Sequence, residues 1–270
     1  MTDTSVEHQE PRPPSGRDTA ELVRAGVRGL GQTLITAGFV LLLFVVYEVW
    51  VSNIFADQAQ SKVHKQFAAA VKAGKDPLQG VDKLSLPAGQ QVVIPAGAGF
   101  ANLYIPRFGK DYAETIVQGT NAEDLNKGPG HYDGSAVPGQ IGDFAVAGHR
   151  VGQGEPFLNL DQLRAGDPIV VQTGANWYVY RVMGNQSTDN LAQLDSQGIP
   201  GREIVSPNAV QVIAPVPDHV GEVPTRALMT MTTCNPKYSA NQRMIVHAVL
   251  VRSVPASGSA TPRELPGGTL

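Results

Sequence analysis

The 270-residue chain has one cysteine, Cys234, and that scarcity is the first constraint on it. An internal disulfide is excluded. The thiol is a buried hydrophobe, an intermolecular link or a reactive thiolate. Excess positive charge is also missing: 21 Lys and Arg stand against 24 Asp and Glu, for a formal net charge of −3. With no basic run interleaved with aromatics, a nucleic-acid partner is set aside. There is no Walker-type phosphate loop, no Gly-x-Ser-x-Gly elbow and no acidic calcium loop. Close Cys-x-x-Cys or His-x3-5-His pairs are absent too, which argues against a zinc site built from His131, His149 and Cys234. No metal or cofactor is expected, and no internal repeat stands out.

One long apolar run is present. Residues 29–51 read GLGQTLITAGFVLLLFVVYEVWV, with Glu48 as the only charge. That is enough helix to cross about 30 Å of hydrocarbon. Tyr47 and Trp50 lie near its C-terminal end, where amphipathic aromatics favour the interface. The run is longer than the apolar core of a cleaved signal, and no clear Ala-x-Ala site follows, so a retained anchor is expected. Arg12, Arg17, Arg24 and Arg28 precede it closely, whereas Lys62 and Lys65 are the nearest cations after it. This bias predicts a single-pass membrane protein with a cytoplasmic N-terminus, its C-terminal body outside, and membrane lipid as a partner.

The chain then divides by composition. Residues 1–28 are expected to form a disordered cytoplasmic tail, its first 20 residues rich in Pro, Ser, Asp and Glu. Residues 29–51 are the anchor. Residues 52–98 are a stalk and linker: strong helix formers over 53–73, with Val63, Phe67, Ala70 and Val71 at helical spacing, suit either a juxtamembrane stalk or a helix packed on the body. Pro77, Pro87 and Pro95 mark a linker over 74–98. Residues 99–255 are β-rich, with strand-like runs at 100–105, 141–147, 168–173, 177–183, 209–214, 228–233 and 244–252, separated by Gly, Pro, Asn and Asp clusters. Short helical pieces are expected near 122–126, 158–163 and 191–194, and a hairpin turn over 172–177. Seven short strands in this span predict an all-β barrel or sandwich. Residues 256–270 read as a flexible tail, whose Leu-Pro-Gly-Gly-Thr is taken as coincidence.

Cys234 ends the run Leu228-Met-Thr-Met-Thr-Thr-Cys234, and Pro236 cannot donate to a ladder, so the strand stops there, at a rim. Arg243 heads the next strand, nine residues later. Thiol and guanidinium would thus begin and end one connection, where the cation could stabilise an oxyanion or hold substrate backbone. Frequency alone would make Arg243 a surface arginine; its place after the sole cysteine favours the functional role. Of six histidines, His8 falls in the tail and His64 in the stalk. His219 is in a Pro-rich loop, and His247 inside a strand suits a structural role. His131, in a turn, could line a pocket. His149 ends the run Ile141–Gly148, beside a glycine that permits close approach, and is the preferred acid or base.

These residues resemble a known family. Thr230-Met-Thr-Thr-Cys234 is similar to the Thr-Leu-x-Thr-Cys signature of sortases, with Met231 in the leucine position, a swap that conserves volume. The Arg243 spacing matches, and Ala147-Gly-His149-Arg150 resembles the family's histidine segment. The stretch from Gly128-Pro-Gly-His-Tyr132 to Pro138-Gly-Gln140, with Cys234-Asn-Pro-Lys-Tyr238, is similar to the actinobacterial class E branch. The resemblance spans most of residues 99–252. It implies an eight-stranded sortase-type β-barrel with short helices, preceded by one transmembrane helix, with 99–255 as the catalytic domain. It implies a membrane-anchored cysteine transpeptidase in which Cys234 is the nucleophile, His149 the general acid/base and Arg243 the oxyanion or substrate stabiliser. Thr232, Thr233 and His131 are candidate substrate-binding residues. Partners would be secreted proteins bearing a C-terminal sorting signal of the Leu-Ala-x-Thr-Gly or Leu-Pro-x-Thr-Gly type, cut between Thr and Gly, and an amine of a peptidoglycan precursor.

Two other classes compete. An exported cysteine hydrolase or an L,D-transpeptidase would share the thiol and histidine, although the latter usually carries Ser-His-Gly-Cys where this chain has Met-Thr-Thr-Cys. A membrane-tethered binding module with an inert structural cysteine is the non-enzymatic alternative.

Overall fold

A computed structural model describes residues 19–47, 52–78, 92–256, 258 and 260–270. The chain separates into two units, Met1–Tyr47 and Glu48–Leu270. In the first, helix α1 (Thr19–Val46) buries none of its residues within the protein. From Gly29 on it is uncharged and predominantly apolar, and by length and composition it is able to cross a membrane. It begins ten residues ahead of the apolar run, so residues 19–28, expected in the disordered tail, are helical. The reason is local: Ala, Leu and Arg are strong helix formers, and Glu21 in the first turn complements the helix dipole. The rest of that tail, residues 1–18, and residues 48–51 with Glu48 and Trp50 lie outside the described residues.

Among the described residues, the second unit has α2 (Ser52–Lys72) followed by nine strands: β1 (Gly99–Tyr104), β2 (Glu114–Gln118), β3 (Gly130–His131), β4 (Gly142–Ala147), β5 (Pro168–Gln172), β6 (Asn176–Val182), β7 (Arg202–Val205), β8 (Ala227–Asn235) and β9 (Gln242–Pro255). Eight of them form a ring in the order β1-β2-β3-β4-β8-β9-β6-β5, closed between β5 and β1. The ring is an eight-stranded β-barrel, and closure removes the sheet edges. β7 stands outside it, paired antiparallel with β9. Two ring pairings are parallel, β2–β3 and β4–β8, and the second matters most for the site.

Strand alternation sorts side chains into two sets. Phe144 and Val146 on β4, Met229 and Met231 on β8, and Met244, Val246 and Ala248 on β9 fill the interior with Phe100, Leu103, Ile116 and Tyr180. Their neighbours face outward, where the β7–β8 connection crosses and Val216 packs on Leu228. α2 is packed on the barrel: Val63 and Phe67 are buried, and Gly99 gives Val63 its close approach, since a Cβ there would lie 2.6 Å from the Val63 Cγ1. Gln60 secures the contact. Its carboxamide accepts from the Thr115 N–H at 2.9 Å and donates to the carbonyls of Thr115 and Lys127.

Some expectations require correction. Residues 209–214 are not a strand; Val210–Ile213 is a 3-10 turn between Pro207 and Pro215. Leu191–Leu194 is not helical, whereas Ala122–Leu125 is a short helix, α3, and Leu160–Gln162 a 3-10 turn. The sequence reading missed β2, β3 and β7. Of the linker, residues 79–91 lie outside the described residues, while Leu78 and Ile94 are buried in the core. The supposed flexible tail is docked: Leu265 packs on the cluster of Val170, Trp177 and Val179, and the Glu264 carboxylate, 4% exposed, meets Arg181 of β6 at 3.1 Å and Arg252 of β9 at 2.5 Å.

Candidate active site

The site forms where β8 and β9 meet at one end of the barrel. Cys234 lies directly across from Arg243 in their antiparallel register. On the other side of β8 the parallel β4 runs in step with it, Ala147 opposite Thr232. His149 and Cys234 each lie two residues beyond that pair. Topology thus gathers three residues from three chain segments, as the spacing of Cys234 and Arg243 led one to expect.

The ends of the two parallel strands are fastened together. The Gly148 N–H donates to the Thr232 carbonyl at 3.0 Å, and the Thr233 hydroxyl donates to the Gly148 carbonyl at 2.8 Å. Gly148 is needed for fit: a Cβ there would lie 2.5 Å from the Phe157 ring. Phe157 in turn donates its N–H to the His149 carbonyl at 3.0 Å, closing the loop that leaves the histidine. His149 is half-buried, and its Nε2 is shielded from solvent with no hydrogen bond to the protein. Burial holds its pKa below the usual 6.5, so the free imidazole is neutral at pH 7. Cys234 is free and half-buried, open to a substrate from outside. The Arg243 guanidinium is steadied by its own loop, Nη1 donating to the Ala240 and Gln242 carbonyls at 2.9 Å each.

Next to these residues lies a hollow of about 150 Å³, lined by Thr232, Arg243, Ile245, Tyr132, Val205 and the 3-10 turn at Val210–Ile213. The Tyr132 and Thr232 hydroxyls are 2.9 Å apart across it. A second hollow, about 190 Å³, shares Tyr132 and Ile213 and continues toward Asp143. The two candidate threonines therefore separate by strand parity. Thr232 faces the hollow, whereas Thr233 turns the other way and acts as a clasp.

His131 is not brought to this surface. It is 2% exposed, between the rings of Phe100 and Phe144 at 5.4 and 5.3 Å. Its Nδ1 lies 2.8 Å from Gln118 Oε1, and its Nε2 2.9 Å from the Ala136 carbonyl. Burial pushes its pKa down to about 4. A neutral, fully bonded interior ring cannot touch a bound peptide, so His131 leaves the substrate-binding set. Tyr132, its neighbour, is the side chain that reaches the hollow. Tyr132 and Arg150 stand within the motifs that resemble the family, but no spacing or periodicity in the sequence marks a role for either.

Known proteins share this barrel. The sortase domain family matches residues 103–251. The chain belongs to the sortase family. It is 31% identical over 275 residues to sortase SrtE2 of Streptomyces coelicolor, covering 96% of each protein. Among solved structures, the SrtF sortase of Corynebacterium diphtheriae shares 38% identity with a TM-score of 0.59, covering 66% of this chain and 97% of that one. Sortase E1 of Streptomyces coelicolor, crystallised with a tripeptide in its active site, shares 33% identity with a TM-score of 0.50, over 63% and 98% of the two chains. This sortase is accordingly a cysteine transpeptidase with the barrel, the short helices and the N-terminal apolar helix of its family.

Proposed function

We propose that Cys234 attacks the Thr carbonyl of a Leu-Ala-x-Thr-Gly or Leu-Pro-x-Thr-Gly sorting signal carried by a secreted protein. The observation that supports this most directly is the register: thiol opposite guanidinium, imidazole two residues past the last paired residues of β4, with a hollow lined by Arg243 and Thr232 next to them. As the thiol proton passes to the neutral His149, attack forms a tetrahedral oxyanion within reach of the Arg243 fork. Collapse breaks the Thr–Gly bond, and His149 gives a proton to the departing amine. The resulting thioester is attacked by an amine of a peptidoglycan precursor, His149 now taking the proton, and the thiolate leaves. Thr232, with Tyr132 and Ile245, lies along the path of the signal.

The same proposal puts α1 across the membrane. From Gly29 to its end the helix has 18 residues, about 27 Å of rise, close to the thickness of the hydrocarbon. Arg24 and Arg28 occupy its preceding turns, where positive charge favours the cytoplasmic side. The barrel would then work outside the cell membrane, where secreted clients and wall precursors are found.

The test uses the full-length chain in detergent with both peptide types and a free amine, products read by mass. Cleavage at Thr–Gly with joining to the amine is expected, and Cys234→Ala should abolish it while the protein stays folded, since one rim sulfur contributes little buried volume. Cleavage that never yields a joined product would favour an exported hydrolase. Joining by a folded Cys234→Ala protein would remove the thiol from the mechanism.

A further inference from the structure

We propose that Arg150 is a positioning residue that sets the spacing of the reactive set, an inference that rests on the roles proposed above for Cys234, His149 and Arg243. In the parallel β4–β8 ladder, the Gly148 N–H bonds to the Thr232 carbonyl. The next β8 carbonyl facing β4 is that of Cys234, and a continued ladder would pair it with the backbone N–H of residue 150. The chain departs from the ladder there. The side chain of the same residue takes over the bond: Arg150 Nη1 lies 3.3 Å from the Cys234 carbonyl oxygen. The backbone at His149 is thereby free to turn, yet it stays tied to the nucleophile's own peptide.

The connection extends to all three reactive residues through their chain neighbours. Arg150, next to His149, donates from Nη1 to Asn235 Oδ1 at 2.6 Å. Asn235, next to Cys234, donates from Nδ2 to Gln242 Oε1 at 3.2 Å. Gln242 is next to Arg243 and stands opposite Asn235 in the β8–β9 register. Arg150 itself is 5% exposed, and its other prong is 3.3 Å from the Asp161 carboxylate, which Lys237 also approaches at 3.6 Å. A buried guanidinium held at both prongs is a rigid spacer, and a lysine could not span the same partners.

The arrangement makes a kinetic claim. Misplacement of His149 or Arg243 relative to the thiol affects the chemical step, while the hollow proposed to take the peptide is lined, apart from Arg243, by residues outside this chain of bonds. With the full-length chain in detergent and the peptide it cleaves, Arg150→Gln should lower kcat about 10- to 100-fold, with KM within about threefold. Arg150→Lys should recover little of the loss. Asn235→Ala should show the same kcat-selective defect, and the double variant should be no slower than the slower single one, because both substitutions break one chain of bonds. If Arg150→Gln folds poorly, Asn235→Ala alone carries the test, again through kcat against KM at equal folded concentration. A normal kcat in either variant, additive losses, a loss confined to KM, or full activity in Arg150→Lys would each overturn the proposal. Cys234→Ala, run in parallel, separates the failures. If it is inactive while Arg150→Gln is normal, only the positioning role falls; if it is active, the underlying reading falls with it.

Discussion

At the scale of single residues, the contrast between the two candidate histidines is the most informative. His149 follows a strand end, with an imidazole nitrogen that finds no hydrogen-bond partner among the described residues. His131 is bonded at both nitrogens inside the core. His149→Ala should lower kcat by about 10² to 10⁴, the usual worth of a general acid/base, with little change in melting temperature. His131→Ala should instead cost about 3 kcal/mol of stability through the cavity it leaves, and change turnover per folded molecule far less. Thermal melts beside initial rates would separate the two, and reversed effects would exchange the assignments. The placement of Cys234, Arg243 and His149 near strand ends was legible in the sequence, because Pro236 and Gly148 mark where β8 and β4 stop and a short connection leads from β8 into β9. The Arg150–Asp161 contact was not, since it depends on how the loop between the two residues folds back, and no periodicity encodes that.

At the scale of elements, six of the barrel strands, β1, β4, β5, β6, β8 and β9, announced themselves through apolar, β-branched runs bounded by turn residues. β3 could not: it is Gly130-His131, and only its neighbours make it a strand. β7, Arg-Glu-Ile-Val, is half polar because it flanks the barrel as a ninth strand. The alternating valines and isoleucine at 209–214 misled in the opposite sense, holding a turn against the barrel wall. Helix α2 carries a testable electrostatic feature in its dock. Glu114, at the start of β2, is desolvated there and faces Asp57 of α2, which together push its pKa up to about 7. A carboxyl whose folded pKa is raised contributes stability that is full below the unfolded value of about 4.5 and is lost as pH rises through about 7. Glu114→Gln lacks that loss. Its stability relative to the natural chain should therefore grow by about 2 to 3 kcal/mol between pH 4.5 and pH 8, measured by urea unfolding at each pH. A difference that stayed constant across this range would mean that α2 does not hold the carboxyl as described.

At the scale of the whole molecule, the barrel has two ends with separate duties. The β8–β9 end carries Cys234 and Arg243, the residues proposed for the chemistry. Along β9, about 30 Å further on, Arg252 joins Arg181 of β6 at the Glu264 carboxylate. Burial pushes the Glu264 pKa up, but the hydrogen bond and charge of Arg252, with Arg181 beside it, bring it below its ordinary value. Glu264→Gln should lower stability by about 2 kcal/mol, less than a fully buried pair because both arginines are partly exposed, and leave kcat unchanged. The stabilisation should be present above about pH 4.5 and fade as pH falls through the depressed pKa. A variant with normal melting would reduce this contact to surface decoration, and one with impaired turnover would show that the two ends communicate. The alternation of β8 has a further consequence for how such an enzyme can change. Met229 and Met231 look into the barrel, whereas Thr230, Thr232 and Cys234 look out. In the proposed mode of binding, the wall and not the lumen meets the peptide. Preference for one signal over another can therefore drift through positions such as Val205, Ile213 and Ile245 while the interior packing is inherited unaltered. A randomised library confined to those outward positions should yield altered peptide choice among variants that still fold, an outcome that a barrel binding its ligand in the lumen could not offer so freely.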